Sequence, residues 1–117
     1  MMKHIVQLSG GKDSTALLLR LIELHENGEL EYDIDEAVFF DTGMEFQAVY
    51  NEIEYLKKVC NTYGVKFTML YPKTPFEEKM FNIEVHKRDG SIGRGYSWCG
   101  GVCRWGTTEK LQALEKY

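Results

Sequence analysis

The sequence predicts an α/β domain in which a parallel sheet is covered by helices. Three observations predict it. Short β-branched apolar runs alternate with longer runs of helical period, in the order strand, helix, strand, helix, strand. Each helical run is long enough to serve as the crossover that parallel pairing requires. The first two strands are followed by the polar, glycine-bearing turns Ser9-Gly10-Gly11 and Asp41-Thr42-Gly43, at the carboxyl edge where open α/β sheets bind ligands.

His4–Leu8 is short, apolar and β-branched, which suits a buried strand. From Lys12 to about Asn27, Ala16, Leu17, Leu21 and Leu24 recur at helical spacing, and Leu18 and Ile22 widen the apolar face. Asn27-Gly28 is a helix stop, and Glu29–Asp35 is an acidic connection. Ala37–Phe40 reads as a second buried strand. Phe46, Val49, Tyr50, Ile53, Leu56 and Cys60 mark a second amphipathic helix over Glu45–Tyr63, ended by Gly64. Val65, Phe67 and Met69 alternate with Lys66 and Thr68, as in a third strand over Val65–Leu70.

Thr74-Pro75-Phe76-Glu77 combines an N-cap, a proline at the first helical position and a capping-box glutamate, so a short helix is expected to about Phe81. Ile83–Tyr96 contains the turn signal Asp89-Gly90 and reads as a hairpin or a mobile loop. It opens a basic, glycine-rich stretch, 83–106, that is expected to be mobile. Thr107–Tyr117, with Leu111 and Leu114 three apart, reads as a last helix. The whole of 1–117 is then a single domain. Three strands are few where about five or six are usual. A partner chain, a homo-oligomer or a missing C-terminal part is expected to complete the sheet, whose open edge otherwise invites association.

At 117 residues, 44% apolar and 27% charged, the composition is that of an ordinary globular domain, which excludes disordered, collagen-like and disulfide-stapled classes. No apolar run approaches the roughly 18 residues of a membrane helix, so no membrane partner is expected. No signal peptide is visible, and three cysteines are an odd count. A cytoplasmic, reducing compartment is therefore expected. The net charge is −4, made of −6 over residues 1–72 and +2 over residues 73–117. Lys79, Lys87, Arg88, Arg94 and Arg104 face only Glu84 and Asp89 between them in sequence. That strip is either a site for an anion or a solvated surface. The acidic balance of the whole argues against nucleic acid.

Chemistry concentrates in Ser9-Gly10-Gly11-Lys12-Asp13-Ser14, between the first strand and the first helix. Gly10 and Gly11 let the backbone turn tightly and approach a ligand with no Cβ in the way. Loop amides and the helix N-terminus then converge on one region, which suits phosphate or sulfate. Lys12 adds a full positive charge, and Ser9 and Ser14 add hydroxyls. Asp13 either caps the helix or orients a metal or Lys12. The spacing of the Walker loop and that of Gly-x-Gly-x-x-Gly are both absent. Asp41, at the end of the second strand, either binds Mg²⁺ or a ribose hydroxyl there or caps the Glu45–Tyr63 helix.

These six residues resemble the PP-loop of the adenine nucleotide α-hydrolase superfamily, the N-type ATP pyrophosphatases, and within it the chain is most similar to the phosphoadenosine phosphosulfate (PAPS) reductase family. Phe39-Phe40-Asp41-Thr42-Gly43-Met44-Glu45-Phe46 resembles the family's Asp-Thr-Gly segment, and Cys103-Arg104-Trp105-Gly106-Thr107-Thr108-Glu109-Lys110 resembles its Arg-x-Cys-Thr-x-x-x-Lys segment imperfectly. The resemblance implies a Rossmann-like parallel sheet with helices on both faces, here incomplete at about three strands. It implies that Ser9, Gly10, Gly11, Lys12, Asp13 and Ser14 hold the phosphates or sulfate of ATP or PAPS, with Asp41 and Gly43 beside the nucleotide. Arg104, as a bidentate fork, and Lys110, as a point charge, are candidate anion ligands or else solvated surface. Lys12, Asp13 and Arg104 are the catalytic candidates.

The family's C-terminal Glu-Cys-Gly-type motif is absent, and Gly106 stands where its third segment has Cys. Thiol-dependent sulfate reduction is therefore not expected of this chain; splitting ATP between its α- and β-phosphates suits the loop equally well. Cys99 and Cys103 are spaced Cys-x-x-x-Cys, without a second pair, so neither zinc nor an iron–sulfur cluster is expected. They form a redox pair or pack in a glycine-rich turn, and Cys60 belongs to the core. His4, His25 and His86 have no metal-ligand spacing. Tyr71, Tyr96, Trp98 and Trp105 lie near the expected ligand edge, where one stacks on adenine or all pack. An enzyme acting at the phosphate or sulfate chain is the leading expectation. A non-catalytic nucleotide-binding module, or a metal or redox protein built on Cys99 and Cys103, are its rivals.

Overall fold

The computed structural model describes residues 2–95 and 106–117, with side chains described through 95 and from 110 onward. The chain divides into two compact units, Met1–Phe40 with Glu45–Leu70, and Asp41–Met44 with Tyr71–Tyr117.

In the first unit, β1 (Ile5–Leu8), α1 (Lys12–Glu26), β2 (Glu36–Phe40), α2 (Gln47–Tyr63) and β3 (Lys66–Leu70) follow one another. The strands pair in parallel in the order β1-β2-β3, with Leu8 opposite Phe39 and Phe39 opposite Met69. This is the expected α/β, Rossmann-like sheet. Val6, Leu8, Ala37 and Phe39 form a core with Leu18 and Ile22 of α1 and Ile53, Leu56 and Cys60 of α2. In α2 these are positions of the expected apolar stripe, whereas in α1 the buried face is centred on Leu18 and Ile22, which were expected only to widen it, and Ala16 and Leu17 of the expected stripe are exposed. All five residues of β2 are buried, as the middle strand of a covered parallel sheet requires.

Boundaries move where a bond outside the local pattern wins. The third strand starts at Lys66 because the Val65 N–H donates back to the Cys60 carbonyl at 2.9 Å, closing α2 behind the left-handed Gly64. The second strand gains Glu36. Its carboxylate is 3% exposed as a residue yet accepts from the Thr68 hydroxyl and lies 3.3 Å from Lys66 Nζ. Buried charge is tolerated only when paired in this way. α2 starts at Gln47, and its N-cap residue is Phe46 rather than Asp41, with no side-chain cap.

In the second unit, the chain is helical from Phe76 and passes into a π-helical turn, Glu78–Asn82, where Ile83 N–H reaches the Glu78 carbonyl five residues back. The expected hairpin is present: β4 (Glu84–His86) pairs antiparallel with β5 (Ile92–Arg94). Asp89 closes its turn by accepting from Ser91 N–H at 2.9 Å and Ser91 Oγ–H at 2.6 Å, bonds that hold its carboxyl below the usual range. Gly95 lies so close to the π-helical turn that a Cβ would overlap the Met80 carbonyl. α3 (Gly106–Lys116) ends the unit, with Leu114 half-buried and Leu111 exposed.

Candidate functional site

Leu8, fully buried, anchors the end of β1, and the chain then turns through Ser9-Gly10-Gly11 into α1. Two features fix the turn. Gly10 has φ +84, and a Cβ there would stand 2.5 Å from Val49 Cγ1 of α2. Only glycine meets both the left-handed backbone and that close approach. The two serines supply the second feature. Ser9 N–H donates to Ser14 Oγ at 3.1 Å, and Gly11 N–H donates to Ser9 Oγ at 3.3 Å. Ser14 Oγ–H donates to the Gly11 carbonyl at 3.2 Å, and the two hydroxyl oxygens are 3.0 Å apart. One placement of protons satisfies all four contacts, with Ser9 donating to Ser14. The serine hydroxyls therefore hold the loop's own backbone in this structure.

Other donors are left over. Among the described residues, no protein acceptor lies on the N–H groups of Gly10, Lys12, Asp13 or Ser14. Gly11, Lys12 and Asp13 are exposed. Gly11 is the N-cap and gives α1 no side-chain cap, so Asp13 does not cap the helix; it lies in the first turn, where the helix dipole favours its charge. A hydrogen bond to a charged group contributes about 1.5–3 kcal/mol, whereas the helix dipole contributes about 0.3–1 kcal/mol at an exposed end. Hydrogen bonds from several such amides, rather than the dipole, would dominate the attraction for an oxyanion here. A cavity of about 420 Å³ adjoins the loop, lined by Gly10, Gly11, Lys12 and Thr15 and by Ala48 and Val49 of α2.

In the second unit, Asp41 Oδ1 accepts from Gly43 N–H at 2.8 Å, and Thr42 Oγ1 accepts from Met44 N–H at 3.3 Å. The carboxylate that was a candidate helix cap instead shapes the turn after β2, with Gly43 at φ +86. This turn lines a mostly apolar cavity of about 330 Å³ with Met44, Tyr71, Pro72 and Phe76. Tyr71 was visible in the sequence as an aromatic near the ligand edge. Met44, Pro72 and Phe76 carried no local signal, because the turn and the segment after β3 meet only in the fold. Lys110 is half-buried in α3. Arg104, Cys99, Cys103, Tyr96, Trp98 and Trp105 lie outside the described residues.

Two histidines engage neighbouring side chains. His25 Nε2 pairs with Asp33 Oδ1 at 2.8 Å, chiefly through which its pKa is raised, with Glu26 a lesser neighbour. His4 stacks on Tyr32 at 4.1 Å, and its N–H donates to Asp35 at 2.7 Å. No cluster of three or more metal-ligating side chains occurs among the described residues. No described helix is long and apolar enough to cross a membrane.

Sequence comparison adds one finding. A family model for the phosphoadenosine phosphosulfate reductase domain matches residues 3–117. No curated protein and no solved structure matches the chain significantly.

Proposed function

The chain belongs to the phosphoadenosine phosphosulfate reductase family, and on that premise we propose that it is an enzyme that binds ATP or PAPS and acts at the phosphate or sulfate chain. The phosphate or sulfate oxygens lie on the Ser9–Ser14 loop. One observation carries this reading: Gly11, Lys12 and Asp13 are exposed, and the loop that bears the Lys12 ammonium keeps four N–H groups without protein acceptors among the described residues. An oxyanion is the ligand that satisfies such a set at once. Catalysis is electrostatic in this proposal. Loop amides and Lys12 stabilise charge that develops on the reacting phosphorus or sulfur centre. Asp13 orients Lys12.

Asp41, Gly43 and Lys110 are assigned to the nucleotide by family resemblance, and Arg104 to the reacting anion. Mg²⁺, where it takes part, arrives on phosphate oxygens, since such ions keep most of their ligands as water and phosphate. Asp41 is its one candidate protein ligand in this proposal.

The test is Lys12→Ala. Titration calorimetry with ATP and with PAPS measures binding, and pyrophosphate release from ATP with Mg²⁺ measures turnover. The variant is expected to lose at least tenfold in affinity or turnover, the loss of about 1.4 kcal/mol of charge-assisted contact. Unchanged binding and turnover would remove the loop assignment. Binding without pyrophosphate release from ATP in the wild-type chain, and without turnover of PAPS, would identify a non-catalytic nucleotide-binding module.

A further inference from the structure

Thr15 stands in the first turn of α1, one residue beyond the loop motif. It is only 9% exposed, and its hydroxyl has no hydrogen-bond partner among the described residues. Burial without a partner disfavours a hydroxyl. A helical threonine ordinarily relieves this by bonding the carbonyl four residues back. For Thr15 that carbonyl belongs to Gly11. It already accepts twice: from the Thr15 N–H at 3.2 Å and from the Ser14 hydroxyl at 3.2 Å. A carbonyl oxygen offers two lone pairs, and both are taken. Ser14 has thus occupied the acceptor that Thr15 would use.

We infer that Thr15 is a positioning residue of the loop, whose hydroxyl takes the Gly11 carbonyl when Ser14 turns its own hydroxyl to a bound tetrahedral oxyanion. The ligand half of this inference rests on the proposed function; the protein half rests on the hydrogen bonds around Gly11 alone. In the free chain, Ser14 O–H bonds the Gly11 carbonyl and the Thr15 hydroxyl is unpaired. In the occupied loop, Ser14 O–H bonds a ligand oxygen and Thr15 O–H bonds the carbonyl. The exchange is a χ1 rotation between the two rotamers that helical threonine populates. Occupancy therefore costs the protein no hydrogen bond, because Thr15 replaces at the Gly11 carbonyl the one that Ser14 gives to the ligand. The Thr15 hydroxyl destabilises the empty loop and favours the filled one.

Thr15→Val, which keeps the branched shape and removes the hydroxyl, separates this role from packing. In the otherwise wild-type chain it is expected to raise Tm by a few degrees, because it deletes an unpaired buried polar group. In a Ser14→Ala background the Gly11 carbonyl has a lone pair to spare, the Thr15 hydroxyl bonds it, and Thr15→Val is expected to lower Tm. A packing role gives one sign in both backgrounds, and that result overturns the inference. Calorimetry with ATP and with PAPS should show Thr15→Val weakening binding roughly fivefold, the worth of one net hydrogen bond, and Thr15→Ser restoring it. Undiminished affinity in Thr15→Val, with a wild-type chain that binds, overturns the ligand half. A wild-type chain that binds neither nucleotide overturns the proposed function and the ligand half together, while the sign of the two Tm shifts still decides the protein half.

Discussion

Gly10→Ala tests whether the loop's shape is imposed by the fold or adopted by chance. The substitution adds one methyl group, and the structure assigns it two separate costs. At φ +84 an L-residue sits in the left-handed region, which costs about 1–2 kcal/mol. The added Cβ also lies 2.5 Å from Val49 Cγ1 and 3.5 Å from Phe39 Cε2. The first distance cannot persist, and forcing extra volume into a packed contact costs about 1–3 kcal/mol. Together the expected loss is about 2–5 kcal/mol. Urea unfolding followed by tryptophan fluorescence and circular dichroism reads it as a lower midpoint at unchanged m. Val49→Ala separates the two costs. It removes the methyl that the added Cβ would strike and leaves the backbone strain in place. In that background Gly10→Ala should cost only the ~1–2 kcal/mol of strain, so the cycle should show a coupling of about 1–3 kcal/mol. If Gly10→Ala costs under ~0.5 kcal/mol, or if the cycle shows no coupling, the close packing of the loop on α2 is wrong.

Gly11→Ala is the contrasting case. Gly11 has φ −87 and ψ 168, and its nearest neighbour beyond the adjacent residues is Ser9 Oγ at 3.5 Å from an added Cβ, so stability should change by less than about 1 kcal/mol. Nucleotide affinity should fall nonetheless, since the methyl stands next to the peptide that bears the Lys12 N–H, one of the amides without a protein acceptor among the described residues; loss of stability with affinity intact would reverse the assignment. His25 supplies a pH dependence. Its folded pKa is raised above 6.5 mainly by the Asp33 hydrogen bond. Its contribution is therefore complete below the unfolded value and is lost as pH rises through the folded one. Tm should fall as pH rises from the unfolded value near 6.5 through the raised folded value in the wild-type chain, and Asp33→Asn should flatten that slope; equal slopes would show that the pair contributes nothing.

How legible this architecture is in the sequence depends on how local each cause is. The strand–helix alternation, the stops at Asn27-Gly28 and Gly64 and the Asp89-Gly90 hairpin all follow from neighbours within a few residues, and the structure contains each of them. Glu36 falls between the acidic connection read to Asp35 and the strand read from Ala37, and becomes the first residue of β2 because Lys66 and Thr68 of the adjacent strand pair with its carboxylate. Asp41 reads locally as either a ligand-edge carboxylate or a helix cap; it accepts from Gly43, and the N-cap position of α2 falls to Phe46. At the site, the loop motif is plain in the sequence, whereas its support is not. Val49 sits on the apolar stripe of α2, and no pattern shows that it closes on Gly10. Thr15 follows the motif directly, but its unmet hydroxyl follows from two hydrogen bonds to a single carbonyl.

Those supports bear on function through the cost of ordering. A glycine-rich turn that moved freely would have to be fixed on binding, at about 1–2 kcal/mol for each residue whose backbone settles into one well. Over Ser9, Gly10 and Gly11 that would offset most of what two charged hydrogen bonds supply. Here the fold has met that cost before any ligand arrives, through the Val49 contact and the circuit of Ser9 and Ser14 hydroxyls. The circuit satisfies the amides of Ser9 and Gly11 and leaves those of Gly10, Lys12, Asp13 and Ser14 without protein acceptors among the described residues. Shape, held by Gly10 and its contact with Val49, and the charge of Lys12 thus lie on different groups, so each can be removed without the other. Gly10→Ala should damage shape first and affinity as a consequence, whereas Lys12→Ala should weaken affinity with the fold intact. A loop whose glycine merely ends a strand and starts a helix would show neither separation.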